Sequence, residues 1–193
     1  MADTDRIPPL EPPYPPDAAE VLARMTPEGQ KPLALFRMFA HNVPMLDAMN
    51  GWGSYQLGDK LTVGMREREI VIDRICALCR AEYEWAVHVA FFGPKAELTE
   101  EQITSLTHGA STDPCWTAER DRLLIELTDA MHGDGGDIDD ALWARLTAEF
   151  TRQQVLDLLF LAGWYQTVSL VTRATRLSPE PGTPRFEDYL PKP

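Results

Sequence analysis

Apolar residues recur along most of this chain at the three- and four-residue spacing of amphipathic helices. No stretch shows the sustained alternation of polar and apolar residues that is typical of a half-buried strand. The sequence therefore predicts an all-α fold. The predicted helices cover residues 17–25, 32–41, 44–57, 65–80, 82–93, 99–108, 117–132, 138–149 and 152–176.

Proline separates the two ends of the chain from its helical middle. Six of the 16 prolines lie in residues 1–16 and five lie in residues 178–193. Because proline fixes φ and lacks a backbone N–H, these ends are expected to be extended and not helical. We predict an extended Pro-rich N-terminal arm (1–16), a single all-helical domain (17–177) and a Pro-rich C-terminal tail (178–193).

The last predicted helix, 152–176, is apolar around nearly its whole circumference, with Asp157 as the exception. A helix that is apolar on all sides has to be covered on all sides. A subunit interface would cover it, so we expect a homo-oligomer, a dimer or larger. The alternative is that the helix forms the centre of a monomer.

Charge and composition narrow the range of partners. The net charge is -12, and phosphate contacts need clustered Lys and Arg, so no nucleic-acid partner is expected. The first residues lack the apolar core of a signal peptide, and the longest apolar run, Leu158 to Trp164, is short for a bilayer. We expect a cytoplasmic protein that acts on a small molecule and has no membrane partner.

Three proton-handling residues lie among residues that otherwise resemble a core: Glu69, Glu84 and His88. Glu84 and His88 are four apart, so one helical face carries both, and a hydrogen bond between them could orient the imidazole. If the chain turns back near residue 80, Glu69 can face this pair. Because apolar surroundings raise the pKa of a carboxyl group, the trio is a candidate acid/base site. We expect no metal and no cofactor.

Further residues could hold a substrate near this trio. Arg74 and Arg80 are candidates for pairing with a substrate carboxylate. Nearby aromatic residues could line a pocket; they are Trp52, Tyr55, Tyr83 and Trp85.

Cys76 and Cys79 form a Cys-x-x-Cys, which could instead carry redox chemistry. Reactive pairs of this kind usually lie at a helix N-terminus, where the dipole stabilises the thiolate. These two lie at the C-terminal end of the helix predicted over 65–80, among aliphatic residues. The pattern therefore favours buried, inert thiols.

The stretch REREIVIDRICALCRAEYEWAVHV resembles the carboxymuconolactone decarboxylase family, whose fold is that of alkyl hydroperoxidase D-like proteins. The later stretch IDDALWARLTAEFTRQQVLDLLFLAGWYQTV is similar to the same family, so the resemblance covers roughly residues 30–177. It implies an all-α alkyl hydroperoxidase D-like domain and a cofactor-free lyase or lactone-processing enzyme that assembles as a trimer or hexamer. His88 and Glu84 would then move a proton to and from the substrate carbon, with Glu69 orienting or relaying.

The resemblance also bears on the thiols. In the peroxidase branch, a glutamate precedes a Cys-x-x-Cys by about a dozen residues, and a histidine follows the second cysteine. Aligning Glu69 and His88 with that glutamate and histidine puts Ala81 and Glu84 at the two cysteine positions. Two alternatives to a lyase remain. One is a thiol-dependent peroxidase that uses Cys76 and Cys79, and the other is a non-catalytic protein that binds a small ligand.

Overall fold

A computed structural model describes residues 5–133 and 135–191, and this part of the chain is all helical. The α-helices are α1 (Pro16–Met25), α2 (Ala34–Phe39), α3 (Val43–Leu57), α4 (Met65–Leu78), α5 (Glu82–Phe91), α6 (Glu100–His108), α7 (Glu119–Gly133), α8 (Asp140–Glu149) and α9 (Arg152–Thr175). Two short 3₁₀ helices accompany them, Ala40–Asn42 and Phe186–Tyr189. The prediction of an all-α fold is confirmed.

The predicted helices all occur, with small differences at their ends. Helix α4 ends at Leu78 and not at residue 80, because Arg80 has a positive φ of 56° that turns the chain back towards α5. The tail was predicted to be extended throughout, but Phe186–Tyr189 forms a turn of 3₁₀ helix. That turn is stabilised by packing against α5 and α6, which the proline pattern does not encode.

Helix α4 is the centre of the core and packs against α5, α6, α7 and α9. Its residues from Arg68 to Cys76 are all buried, so both polar and apolar side chains of this helix are enclosed. Four aliphatic residues of α4 are fully buried in the main hydrophobic cluster; they are Ile70, Val71, Ile72 and Ile75. Any charged group on this segment therefore needs a partner inside the protein.

Helix α5 lies between two hydrophobic clusters, so successive residues of α5 face different surroundings. Tyr83 and Val87 belong to a cluster formed with α1, α2 and α3. Trp85 and Val89 belong to the main cluster around α4. Between these two faces, Glu84 and His88 are buried as well. The packing of α5 thus fixes the position of both groups.

Helix α9 has 24 residues and is long and apolar enough to cross a membrane by length and composition, which the shortness of its longest apolar run had not suggested. Half of its most apolar stretch is buried inside the protein, against α4, α5, α7 and α8. This packing is that of a core helix. One stripe of α9 remains open, where Leu156, Phe160 and Leu170 are more than half exposed.

The C-terminal tail packs on the same chain, over α5. Tyr83 Oη donates a 2.7 Å hydrogen bond to Glu180, and the backbone N–H of Phe186 donates to Glu82. The rings of Phe186 and Tyr189 lie against Trp85, with centroid distances of 4.8 and 5.5 Å. The tail therefore covers the start of the helix that carries Glu84 and His88.

Candidate active site

The turn between α4 and α5 brings Glu69 and His88 into direct contact. His88 Nδ1 lies 2.8 Å from Glu69 Oε2, and the two residues are only 3% and 0% exposed. A carboxylate on Nδ1 holds the proton on that nitrogen and leaves Nε2 without one. Glu69 is therefore the residue that orients the imidazole, as the family resemblance implied, whereas the four-residue spacing had pointed to Glu84.

Glu69 has a second partner on its own helix. Arg68 Nε donates a 2.6 Å hydrogen bond to Glu69 Oε1, so the buried carboxylate is paired with a buried guanidinium. Arg68 Nη1 donates to the carbonyl of Leu57 at 3.2 Å. Both oxygens of the buried Glu69 carboxylate therefore have polar partners, Arg68 on one side and His88 on the other.

Glu84 lies on the other side of the imidazole. Its Oε1 is 3.7 Å from His88 Nε2, and its Oε2 is buried without a hydrogen-bond partner in the described part of the chain. Burial raises the pKa of Glu84, and the nearby His88 offsets this only in part. The geometry thus places a buried carboxyl group with a raised pKa beside Nε2 of His88.

Asp73 adds a third buried carboxyl group, one helical turn beyond Glu69. It is fully buried, and neither carboxyl oxygen has a hydrogen-bond partner among the described residues. Burial, and then the charge of Glu69, raise the pKa of Asp73 well above its usual range. Burial without a hydrogen-bond partner therefore favours the protonated form of Asp73 over its ionised form.

Aromatic rings enclose His88. The imidazole stacks on Phe92 at a centroid distance of 5.2 Å and meets the edge of Tyr165 at 4.9 Å. Tyr165 is buried, and burial together with the charge of Glu84 raises the pKa of its hydroxyl well above the ordinary value. These rings exclude water from His88, which strengthens electrostatic interactions within the site.

The structure does not bring Arg74 to this cluster. Arg74 forms a two-pronged ion pair with Asp129, and its Nη1 donates to the carbonyls of Leu106 and Gly109. All three nitrogens are thus used to join α4 to α6 and α7. Arg80 is exposed at the turn between α4 and α5, and its role in binding a substrate stays a prediction.

The four aromatic residues that were predicted to line a pocket do not lie together around one cavity. Tyr83 accepts a hydrogen bond from the backbone N–H of Leu35 and belongs to the second cluster, while Trp85 lies under the C-terminal tail. Trp52 and Tyr55 stack on each other at 5.4 Å. Trp52 lines a separate groove of about 560 Å³ between α3 and α9, together with Leu159, Phe160, Gly163, Trp164 and Thr167.

Both thiols of the Cys-x-x-Cys are buried, as the sequence predicted. The Oγ of Ser169 lies 3.5 Å from Cys76 Sγ, and burial raises the pKa of this thiol well above its usual value, with the charge of Glu84 adding to the effect. The thiol of Cys76 is thus close enough for an electrostatic interaction with Glu84 of the acid/base cluster. Cys79 Sγ lies 3.7 Å from His132 Nδ1, a contact that sequence reasoning missed. Burial raises the pKa of Cys79 also.

No group of three or more His, Cys, Asp or Glu side chains arranged to hold a metal ion occurs in residues 5–133 and 135–191. The cluster on α4 and α5 instead consists of one ion-paired carboxylate, one imidazole and two buried carboxyl groups with raised pKa values. Such a set can accept and donate protons in surroundings closed to water.

From the sequence, Arg68 was one of several possible partners for a buried carboxylate, and no site role was assigned to Asp73 or Tyr165. Arg68 and Asp73 were visible as charged residues within an otherwise apolar helix, which is a signal for a buried functional group. Tyr165 lies in α9, far from α4 and α5 in the chain, so only the packing of α9 reveals its contact with His88.

Comparisons with known proteins identify the fold of this chain. No protein-family model matches the chain, and no curated protein matches it. A solved structure from Silicibacter sp. TM1040, titled an uncharacterized peroxidase-related protein, superposes with a TM-score of 0.77 and 17% identity, covering 94% of this chain and 96% of that one.

A second similar structure comes from Ralstonia eutropha JMP134. It is titled an alkylhydroperoxidase AhpD core and an uncharacterized peroxidase-related protein. It superposes with a TM-score of 0.76 and 13% identity, covering 91% of this chain and 93% of that one. Near-complete coverage of both chains extends the likeness to the whole helical domain. The chain has the alkylhydroperoxidase D-like fold.

Proposed function

We propose that this protein is a cofactor-free acid/base enzyme of the carboxymuconolactone decarboxylase type. Its reaction would be a decarboxylation, a lactone conversion or a related proton transfer on a small cyclic or aromatic-derived acid. The observation that carries the proposal is the buried row of Arg68, Glu69, His88 and Glu84, in which each side chain lies next to the following one.

In this proposal His88 Nε2 is the base and Glu84 is the acid. Glu69 holds the proton on Nδ1 and balances the charge that His88 gains when Nε2 takes a proton. Burial raises the pKa of Glu84 from its ordinary value, which suits this carboxyl group to the role of proton donor. Each acid/base contribution of this kind accelerates a reaction by roughly 10²–10⁴-fold.

A decarboxylation would use these groups as follows. The bond between the carboxylate carbon and the ring breaks, CO₂ leaves, and its electron pair remains on the substrate as a dienolate. Glu84 then donates its proton to the substrate carbon, and His88 Nε2, 3.7 Å from Glu84 Oε1, takes a proton from solvent and passes it back to Glu84. The net change is consumption of one proton and release of CO₂, so no oxidant or reductant is needed.

Two substitutions test the proposal. Glu69→Gln and His88→Asn should each lower turnover of a candidate acid by about 10²-fold or more, while circular dichroism shows a helical protein. Glu101→Gln, at an exposed position of α6, is the matched control and should keep full turnover. A folded His88→Asn protein with full turnover would end the proposal.

The alternative is a thiol-dependent peroxidase, and one contact favours it: the 3.7 Å approach of His132 Nδ1 to Cys79 Sγ. Both similar solved structures also carry the words "peroxidase-related". The raised pKa of both thiols weighs against it, because the thiolate is the reactive form. Peroxide consumption that Cys79→Ser abolishes would favour this alternative over the acid/base enzyme.

We also propose that the protein is a cytoplasmic homo-oligomer with no nucleic-acid or membrane partner. The support for self-association is the exposed stripe of α9 formed by Leu156, Phe160 and Leu170, beside the groove that Trp52 lines. The same groove is the place where a non-catalytic small ligand would bind. We assign it to the subunit contact because Phe160 belongs both to the stripe and to the groove.

A further inference from the structure

Arg68 combines burial with an unused hydrogen-bond donor. Its side chain is about 5% exposed, and its Nε and Nη1 donate to Glu69 and to the carbonyl of Leu57. Its Nη2 is buried and has no hydrogen-bond partner among the described residues. A buried guanidinium nitrogen without an acceptor costs free energy, so an acceptor that reaches Nη2 gains more than it would in water.

Phe92 covers this guanidinium. The Arg68 Cζ lies 5.0 Å from the centroid of the Phe92 ring, and the same ring stacks on His88 at 5.2 Å. Lys95 Nζ lies 5.6 Å from the ring centroid, so the ring has a second cation beside it. A ring face attracts cations, but it offers no hydrogen-bond acceptor to Nη2.

Phe92 is the side chain of this enclosure that is open to solvent on one side. It follows the last residue of α5, it is half-buried, and the exposed Lys95 lies beside it. The groups beneath it are fixed, because Arg68, Glu69 and His88 are joined by hydrogen bonds. Rotation of the Phe92 side chain would therefore expose the guanidinium and the imidazole without disturbing the pair that Glu69 holds.

We propose that Arg68 Nη2 binds a carboxylate group of the substrate, and that Phe92 turns aside to admit it. This assignment rests on the proposed acid/base function and names the residue that would hold the carboxylate of its substrate. Glu69 and Phe92 each contact both Arg68 and His88, so a carboxylate on Nη2 would place the attached carbon skeleton beside the imidazole. Lys95 would attract the anion from solution.

The test is a calorimetric titration at pH 7 with benzoate, a planar carboxylate that is fully charged there, and with benzamide as its neutral counterpart. Benzoate should bind the wild-type protein and benzamide should bind at least about tenfold more weakly. Arg68→Lys keeps the ion pair with Glu69 but removes the second donor, so it should weaken benzoate about tenfold or more.

A second variant keeps the test decisive if Arg68→Lys does not fold. Phe92→Ala removes the cover and should bind benzoate more tightly or faster than the wild type. Phe91→Ala, which alters the exposed aromatic residue next to it, is the matched control and should leave binding unchanged.

Equal affinity for benzoate and benzamide, or unchanged affinity in a folded Arg68→Lys protein, would overturn the proposal. So would the absence of benzoate binding to both the wild type and Phe92→Ala at about 10 mM. Because the titration measures binding and not turnover, its failure leaves the acid/base function standing. Full turnover by a folded His88→Asn protein would instead end the acid/base function, and it would not change the result of the titration.

Discussion

Glu69 Oε2 and His88 Nδ1 are joined by a 2.8 Å hydrogen bond across the turn between α4 and α5, although 19 positions separate the two residues in the chain. Arg68 neutralises the same carboxylate from its other side. The bond therefore fixes one tautomer of a histidine that is almost wholly enclosed by protein. Buried His–carboxylate pairs of this kind suit proton transfer, because water cannot compete for either group.

Asp73→Asn should stabilise the protein, and more so at high pH. The pKa of Asp73 is raised well above its usual value in the folded state, so the folded protein keeps its proton where the unfolded chain loses it. The contribution of Asp73 to stability is thus fully present below about pH 4 and is lost as pH rises through the raised pKa. Each unit of that rise corresponds to about 1.4 kcal/mol.

Urea unfolding at pH 4, 6 and 8 measures this effect. The gain in the free energy of unfolding for Asp73→Asn over the wild type should be small at pH 4 and should increase towards pH 8. Asp59→Asn, at an exposed position, is the control and should show no such trend. A gain that does not change with pH would mean that Asp73 is ionised in the folded protein.

Cys76 and Cys79 should react slowly with alkylating agents at neutral pH. Burial raises the pKa of both thiols, and Cys76 is wholly enclosed. Cys115 is only partly buried and should be alkylated first. Mass spectrometry of the folded protein after timed exposure to iodoacetamide gives the order. Rapid labelling of Cys79 at pH 7 would indicate a thiolate stabilised by His132 and would favour the peroxidase.

Phe160→Glu should break the oligomer. Phe160 is 61% exposed on the open stripe of α9, and a carboxylate there would be buried without a partner in any interface that covers the stripe. Light scattering after size exclusion should show the mass falling to that of a monomer. Phe91→Glu, at an exposed aromatic position on α5, should leave the mass unchanged. A wild-type protein that is already monomeric would contradict the proposed self-association.

Phe186→Ala should lower the free energy of unfolding by about 1–2 kcal/mol. The substitution removes the ring that packs on Trp85 at 4.8 Å and loosens the tail from α5. Leu190→Ala is a close control, since Leu190 is 59% exposed and should change stability by less than about 0.5 kcal/mol. Equal effects of the two substitutions in urea unfolding would show that the tail does not support α5.

The helices could be predicted from the sequence because the signals that begin and end a helix lie within a few consecutive residues. Thr99 with Gln102 and Thr151 with Gln154 form capping boxes at the starts of α6 and α9, and such boxes are read from four consecutive residues. Glu84 and His88 share a helical face for the same reason. Local spacing therefore predicted which residues meet within one helix.

Contacts between helices were harder to predict. The orienting partner of His88 is Glu69 on another helix, and Tyr165 arrives from α9, so these contacts depend on how the helices pack. The role of Arg74 was missed for the same reason, because its partner Asp129 lies on α7. Spacing along one helix cannot specify such neighbours.

The protonation of His88 is the most direct test of the central claim. Nitrogen-15 NMR of the imidazole in the wild type and in Glu69→Gln reports which ring nitrogen carries the proton and how fast that proton exchanges. The account predicts a wild-type ring protonated on Nδ1, with Nε2 unprotonated and with slow exchange of the Nδ1 proton, and loss of that slow proton in Glu69→Gln. A wild-type ring protonated on Nε2, or one that exchanges freely with water, would contradict it.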